Sequence, residues 1–430
     1  MFANFDYPDF LVSLYAAHPG LDDASYREQM RVRNDSLFGT ADFFTRPLCA
    51  AGHEAVDLHV NNEHLQRIWV RERKAGRADW GLAQSAAAST TTAGDALPQD
   101  DLNNVVVMSP FWERHVYRHL QNLRAAAART PLYHLRSAFR PITRLLDHKW
   151  VFRHAVAEMQ IKAFRPDVLV VQAVYMLPTD FLQRIRPYVG MIVAQHAGSE
   201  LSPAIDYSLY DLAVSAFPPT LDFFAAYGVA GFRQRLGFDP IVLDRVPLSP
   251  SPDIDVSFVG SLFSLHNSRR QFLEEAGAEL PQLTVWSAQS SELAPDSSLK
   301  ANARPAIWGQ AMFDILARSK ITLNHHGDFP PFANNMRLFE ATGMGCLLVT
   351  DWLPDLHELF EPEKEVITFR SVEECVTKVR WYLDHDAERR RIAEAGQART
   401  MRDHSYERRA LELIGVCRDH LARKLRDGLR

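Results

Sequence analysis

Residues 255–260, 283–286, 320–324, 346–350 and 366–369 are short runs rich in aliphatic and β-branched side chains, each separated from the next by helical or loop-like sequence. Such alternation leaves a chain few options besides a parallel sheet with right-handed crossovers. An earlier series repeats the pattern at residues 54–60, 167–173, 190–194 and 209–215. Between the two series, Pro240, Pro247, Pro250 and Pro252 fall within thirteen residues and read as a linker. The expected fold is therefore α/β, with two Rossmann-like domains. The first spans residues 1–240, with a low-complexity insertion at 75–103 that contains Ser89-Thr90-Thr91-Thr92. The second spans 241–404, and a helix over 405–430 is expected to pack back on the first.

Composition sets limits on function. A chain of 430 residues with 47% hydrophobic and 23% charged residues has ample core for more than one domain. A net charge of −5 gives no general attraction to nucleic acid or anionic membrane. Cys49, Cys346, Cys375 and Cys417 are far apart and lack metal-site spacing, which predicts free thiols in a reducing compartment. No signal peptide or membrane-spanning run is legible, so a cytoplasmic location is expected.

The segment 334–351 carries the most chemistry. Asn334 and Asn335 are good helix caps, Gly343 and Gly345 suit a helix end, and residues 346–349 suit a buried strand. A helix beginning at the asparagines offers unpaired N–H groups to a diphosphate, with Arg337 beside it. Glu340 follows about six residues, or roughly 9 Å, further along. That is a suitable distance for a carboxylate to accept hydrogen bonds from ribose hydroxyls. An ordinary αβ unit with a surface glutamate is the competing reading.

This segment resembles the donor-sugar signature of retaining GT-B glycosyltransferases, and more narrowly the CgeB-like group of family 1. Glu340, in Leu338-Phe339-Glu340-Ala341 followed by Gly343, matches the second of the family's two glutamates; Phe332 stands where the first would be. The resemblance implies a GT-B fold, in which two parallel sheets face across a cleft. It also implies a nucleotide-sugar donor and no cofactor or metal.

Other candidates lie at the ends of the predicted strands, where open α/β sheets bind ligands. Gly260 and Ser261, with His266 and Arg269 at the start of the next helix, suit phosphate oxygens and look like the CgeB-like form of the family's phosphate turn. Asn324, His325 and Asp328 form a polar loop expected to face the donor. His325 and His326 are adjacent on an extended chain and should point apart, which argues against a metal site. His196, after the predicted strand 190–194, resembles the family's catalytic-site histidine, which hydrogen-bonds the transferred sugar. Gly39 resembles a reduced form of its first glycine loop.

The predicted activity is thus that of a retaining, metal-independent hexosyltransferase-like enzyme. Its donor would be a nucleotide sugar and its acceptor an unidentified glycan, lipid, protein or metabolite, without nucleic acid or an integral membrane segment. A non-catalytic sugar-nucleotide-binding protein and a GT-B epimerase are the rivals.

Overall fold

The computed structural model describes residues 1–76, 148–196, 201–262, 267–328, 331–333 and 335–428. His266, Asn334 and nearly all of the expected insertion at 75–103 lie outside them. The described strands form two six-stranded sheets. The first contains β1 (Phe2–Asn4), β2 (Asp57–His59), β3 (Val168–Val171), β4 (Met191–Gln195), β5 (Leu212–Ser215) and β6 (Ala230–Arg233), in the order β2-β1-β3-β4-β5-β6. The second contains β7 (Ile254–Val259), β8 (Leu283–Trp286), β9 (Ala303–Arg304), β10 (Ser319–Asn324), β11 (Leu347–Asp351) and β12 (Ile367–Phe369). Its order is β12-β11-β10-β7-β8-β9. Numbered from β7, that is the 3-2-1-4-5-6 order of a Rossmann domain.

Two compact units emerge: one of residues 1–31, 55–194 and 202–211, the other of 32–54, 195–201 and 212–430. Local contacts explain why residues 32–54 join the later chain. The Ser36 carbonyl accepts from Gln310 N–H at 2.8 Å, Phe38 packs edge-on to Trp308, and Arg46 pairs with Asp239. Phe43 and Phe44 also pack on Tyr406, at the start of the final helix Tyr406–Gly428.

The core of the second unit follows from its sequence runs. Val256, Ile321, Leu323, Leu347, Val349 and Ile367 are buried in one cluster with Phe272 and Leu273. Each such side chain contributes roughly 1.5–3 kcal/mol on burial. Within this apolar sheet Ser257 and Thr322 satisfy each other at 2.7 Å, and Ser319 donates to Ser257 at 2.8 Å. The stretch expected to link domains is not continuous loop, because Ile241–Arg245 forms a short helix.

The glycines after Glu340 divide their roles. Gly345 leaves the helix at φ +68°, as expected. Gly343 is the helix's last residue, and its lack of a side chain serves packing: a Cβ there would lie 2.5 Å from the Phe238 ring.

Candidate functional site

The parallel register aligns the carboxyl ends of β7, β10 and β11, pairing Asn324 with Thr350 and Thr322 with Ser257. The chain runs from β7 to β8 on one side, while β10 lies on the other, so the topological switch point falls between β7 and β10. Open α/β sheets bind ligands at such a point, in the crevice beyond those two strand ends.

Arg269 spans that crevice. It lies on the helix Asn267–Glu279 and is 8% exposed. Its Nε donates to His325 O at 2.7 Å and its Nη1 to Ser261 O at 3.2 Å. It thereby joins the loop after β10 to the loop after β7. Burial lowers its pKa to about 10, opposed by the charge of Asp351, so it remains a cation near neutrality. Gln289 shapes the β7 side, with Oε1 accepting from Leu262 N–H at 2.9 Å and from the hydroxyls of Ser261 and Ser287.

The two adjacent histidines point to different partners, as an extended chain requires. His325 stacks on Phe272 and accepts from Gly327 N–H through Nδ1 at 3.0 Å. Burial pushes its pKa down. His326 turns its Nδ1 to Asp351 Oδ1 at 2.7 Å, and its backbone N–H also donates to both Asp351 oxygens. Burial disfavours the Asp351 carboxylate, but His326 overrides it and holds the group below the usual carboxylate range. Among the described residues no cluster of three or more His, Cys, Asp or Glu side chains could hold a metal ion.

A chain of side-chain bonds continues from Asp351. Thr350 Oγ1 donates to it, Asn324 Nδ2 donates to Thr350 Oγ1 at 2.9 Å, and Asn335 Nδ2 donates to Asn324 Oδ1 at 2.8 Å. Asn335 Oδ1 then accepts from Leu338 N–H, so an asparagine does cap the helix. That helix is only Arg337–Gly343, too short and too firmly capped to act as an anion site by itself.

Arg337 and Glu340 occupy successive turns of this helix and pair at 2.8 Å. Arg337 also donates to Val259 O at 3.1 Å and contacts Met312 Sδ. Glu340 is 7% exposed, and burial raises its pKa against the opposing charge of Arg337. Asp328 is exposed and accepts from Ser268 N–H, capping the helix that carries Arg269.

Gly260, Ser261, Arg269, Asn324, His325, Asp328, Asn335, Arg337 and Glu340 are therefore brought to one edge of the second sheet. Gly39 (φ +64°) lies elsewhere in the second unit, in the turn that follows Ser36 and Phe38. His196 follows β4; its backbone N–H donates to Val214 O, and burial depresses its pKa to about 4. Sequence reasoning assigns no role to Asp351 or Gln289 and weighs His326 only as a metal ligand. Asp351 was visible as the polar residue ending an apolar run, but its partner is 25 residues away.

A profile of the family described as glycosyl transferase-like matches residues 269–415. Among solved structures, the chain is similar to a sucrose-phosphate synthase from Thermosynechococcus elongatus, with 11% identity over 63% of this chain and 79% of that one, at TM-score 0.46. It is similar to a glycosyltransferase from Rickettsia africae, with 12% identity, 64% and 82% coverage and TM-score 0.49. A third is Anabaena Alr3699/HepE in complex with UDP and glucose, with 13% identity, 64% and 83% coverage and TM-score 0.48. No curated protein matches.

Proposed function

We propose that this chain is a GT-B glycosyltransferase of the CgeB-like kind, moving a sugar from a nucleoside-diphosphate donor to an acceptor hydroxyl. The observation that carries this reading is Arg269, a buried guanidinium laid across the switch-point crevice of a sheet in Rossmann order. The crevice suits a nucleotide, and a permanently charged fork suits its phosphates. The glycosyl transferase-like match, which begins at this residue, supports sugar transfer as the chemistry.

In the reaction, the bond from the sugar's anomeric carbon to the phosphate oxygen breaks, and the diphosphate leaves with the electron pair. The acceptor oxygen bonds to that carbon, and its proton passes to the leaving diphosphate or to water. Arg269, already fixed by two carbonyls, stabilises the charge that develops on the leaving group. Arg337 holds Glu340 Oε2 and leaves Oε1 to accept from the ribose diol. His196, a neutral imidazole near pH 7, serves as a hydrogen-bond partner for the transferred sugar. The Arg269 guanidinium does the work of a cation, so the reaction proceeds without metal. Retention of configuration follows the resemblance alone. Phe332 packs edge-on to Phe217 where the family has a carboxylate, which favours a non-catalytic sugar-nucleotide-binding protein as the second reading.

The test is a thermal-shift panel of UDP, GDP, TDP and CMP in EDTA, followed by turnover of the matching nucleotide sugar. One diphosphate should stabilise the protein, and Arg269→Met should abolish the shift. No shift with any of the four, or a shift indifferent to Arg269→Met, overturns the donor site. Binding without turnover selects the non-catalytic reading, and turnover that EDTA abolishes and metal restores removes metal independence.

A further inference from the structure

The first sheet has a switch point of its own. β1 lies between β2 and β3, and the chain leaves β1 toward β2 but leaves β3 toward β4. The crevice therefore opens between the carboxyl ends of β1 and β3, which pair in register at Ala3 and Val171. Among the described residues, aromatic rings rather than cations follow these two strands. Tyr7, three residues past β1, is 62% exposed, and Tyr175, four residues past β3, is 53% exposed. Two large aromatic side chains this exposed at a ligand-binding edge are informative in a way that scattered surface apolar residues are not.

Both tyrosines stand on fixed backbone. Just before Tyr7, Asp6 N–H donates to Asn61 Oδ1 at 2.8 Å, and Asn61 Nδ2 donates back to Asp6 O at 2.7 Å. The Asp6 carboxylate meets the buried His59 at 2.9 Å. Tyr7 then begins the helix Pro8–Ala17, with proline fixing the first turn. Tyr175 sits in the 3₁₀ turn Val174–Met176, which His154 Nε2 ties down through Met176 O at 3.1 Å. Rings held by such backbone lose little entropy when a ligand covers them. Burial, with a smaller contribution from the charge of Tyr7, pushes the Tyr175 phenol up. Asn4, the last residue of β1 and so at the carboxyl end of that strand, is 4% exposed and has no partner for its Oδ1.

The chemistry selects the ligand. The helix after Tyr7 carries Asp9 in its first turn and no basic residue in its last, so the crevice does not invite an anion. Apolar ring faces with hydroxyl tips, and a buried amide at the end of the same strand β1, match a pyranose ring, which has a C–H face and a rim of hydroxyls. Resting on the glycosyltransferase reading above, we propose that Tyr7 and Tyr175 form the acceptor subsite and that the acceptor is a glycan whose terminal sugar stacks on these rings.

Saturation-transfer NMR tests this without donor, using the full chain and maltose, cellobiose, lactose and chitobiose, with phenol and n-octanol as non-sugar probes. At least one disaccharide should bind. Tyr7→Ala and Tyr175→Ala should each weaken it about five- to tenfold, the worth of one aromatic face. Tyr7→Phe and Tyr175→Phe, which keep the ring and the fold, should stay close to wild type. In transfer assays the alanine variants should raise the acceptor KM and leave the donor KM unchanged. Binding of phenol or octanol but no disaccharide, no binding at all, or alanine variants equal to wild type would each overturn the subsite. Disaccharide binding by a protein that binds no nucleotide would instead overturn the donor reading and leave the ring subsite standing.

Discussion

Replacing Glu340 by alanine should damage the fold as well as the donor site. Its carboxylate and the Arg337 guanidinium meet at 2.8 Å, with side chains 10% and 14% exposed. Removing the anion leaves Arg337 largely buried without its counter-charge, which costs about 3–5 kcal/mol. At about 2–4 °C per kcal/mol, the melting temperature should fall by roughly 6–20 °C. Glu340→Gln keeps the shape and one acceptor, so it should lie between. The double variant Arg337→Met/Glu340→Leu removes both charges, and its stability should return close to wild type. Urea unfolding of wild type, Arg337→Met, Glu340→Leu and the double variant closes the cycle and gives the coupling energy directly. On nucleotide, titration calorimetry should show Glu340→Ala weakened about ten- to hundredfold by loss of a charge-assisted bond. An unfolding free energy within about 1 kcal/mol of wild type would refute the buried pair. A folded variant that binds nucleotide as tightly as wild type would refute the ribose contact.

Gly309 has φ +57°, and a Cβ there would lie 1.9 Å from Ser36 O; Gly309→Ala should therefore cost about 3 kcal/mol or more in urea unfolding, and a cost below about 1 would refute this packing of residues 36–39. His196 and His404 both have pKa values lowered to about 4 by burial, while unfolded histidine titrates near 6.5. Between those values the unfolded chain binds protons that the native chain does not, so stability should fall as pH drops from about 6.5 to about 4; a flat melting profile across that window would contradict it. Asp351, with its lowered pKa, adds stability that is complete above the unfolded value near 3.9 and lost as pH falls below it; Asp351→Asn should flatten that lower limb, and an unaltered limb would count against the His326 pairing.

Most strands that sequence made legible are buried along much of their length, so their apolar runs stand out. β2, β3, β4, β5, β7, β8, β10, β11 and β12 all fall within or beside the predicted runs. β1, β6 and β9 escaped for separate reasons. β1 and β9 have three and two residues, too few to show a period. β6, Ala-Gly-Phe-Arg at a sheet edge, has no fully buried residue to give it an apolar signature. Their strand character comes from neighbours in the sheet, which no local window contains.

The site divides along the same line between local and distant. The Arg337–Glu340 pair was readable, since residues three apart on a helix meet, yet a motif that assigned each residue its own ligand hid their contact with each other. Asp328 is legible as a polar residue of a strand-end loop, but the Ser268 N–H that it caps is 60 residues away. Arg269 shows the limit most clearly. Its residue type and place at a helix start pointed to phosphate, but the reason it is fixed lies in Ser261 O and His325 O, carbonyls 8 and 56 residues distant. Those carbonyls converge only because β10 crosses over to pair with β7. Local sequence can therefore choose the charge for such a crevice, while strand order decides which charge is held rigid enough to stabilise a leaving group.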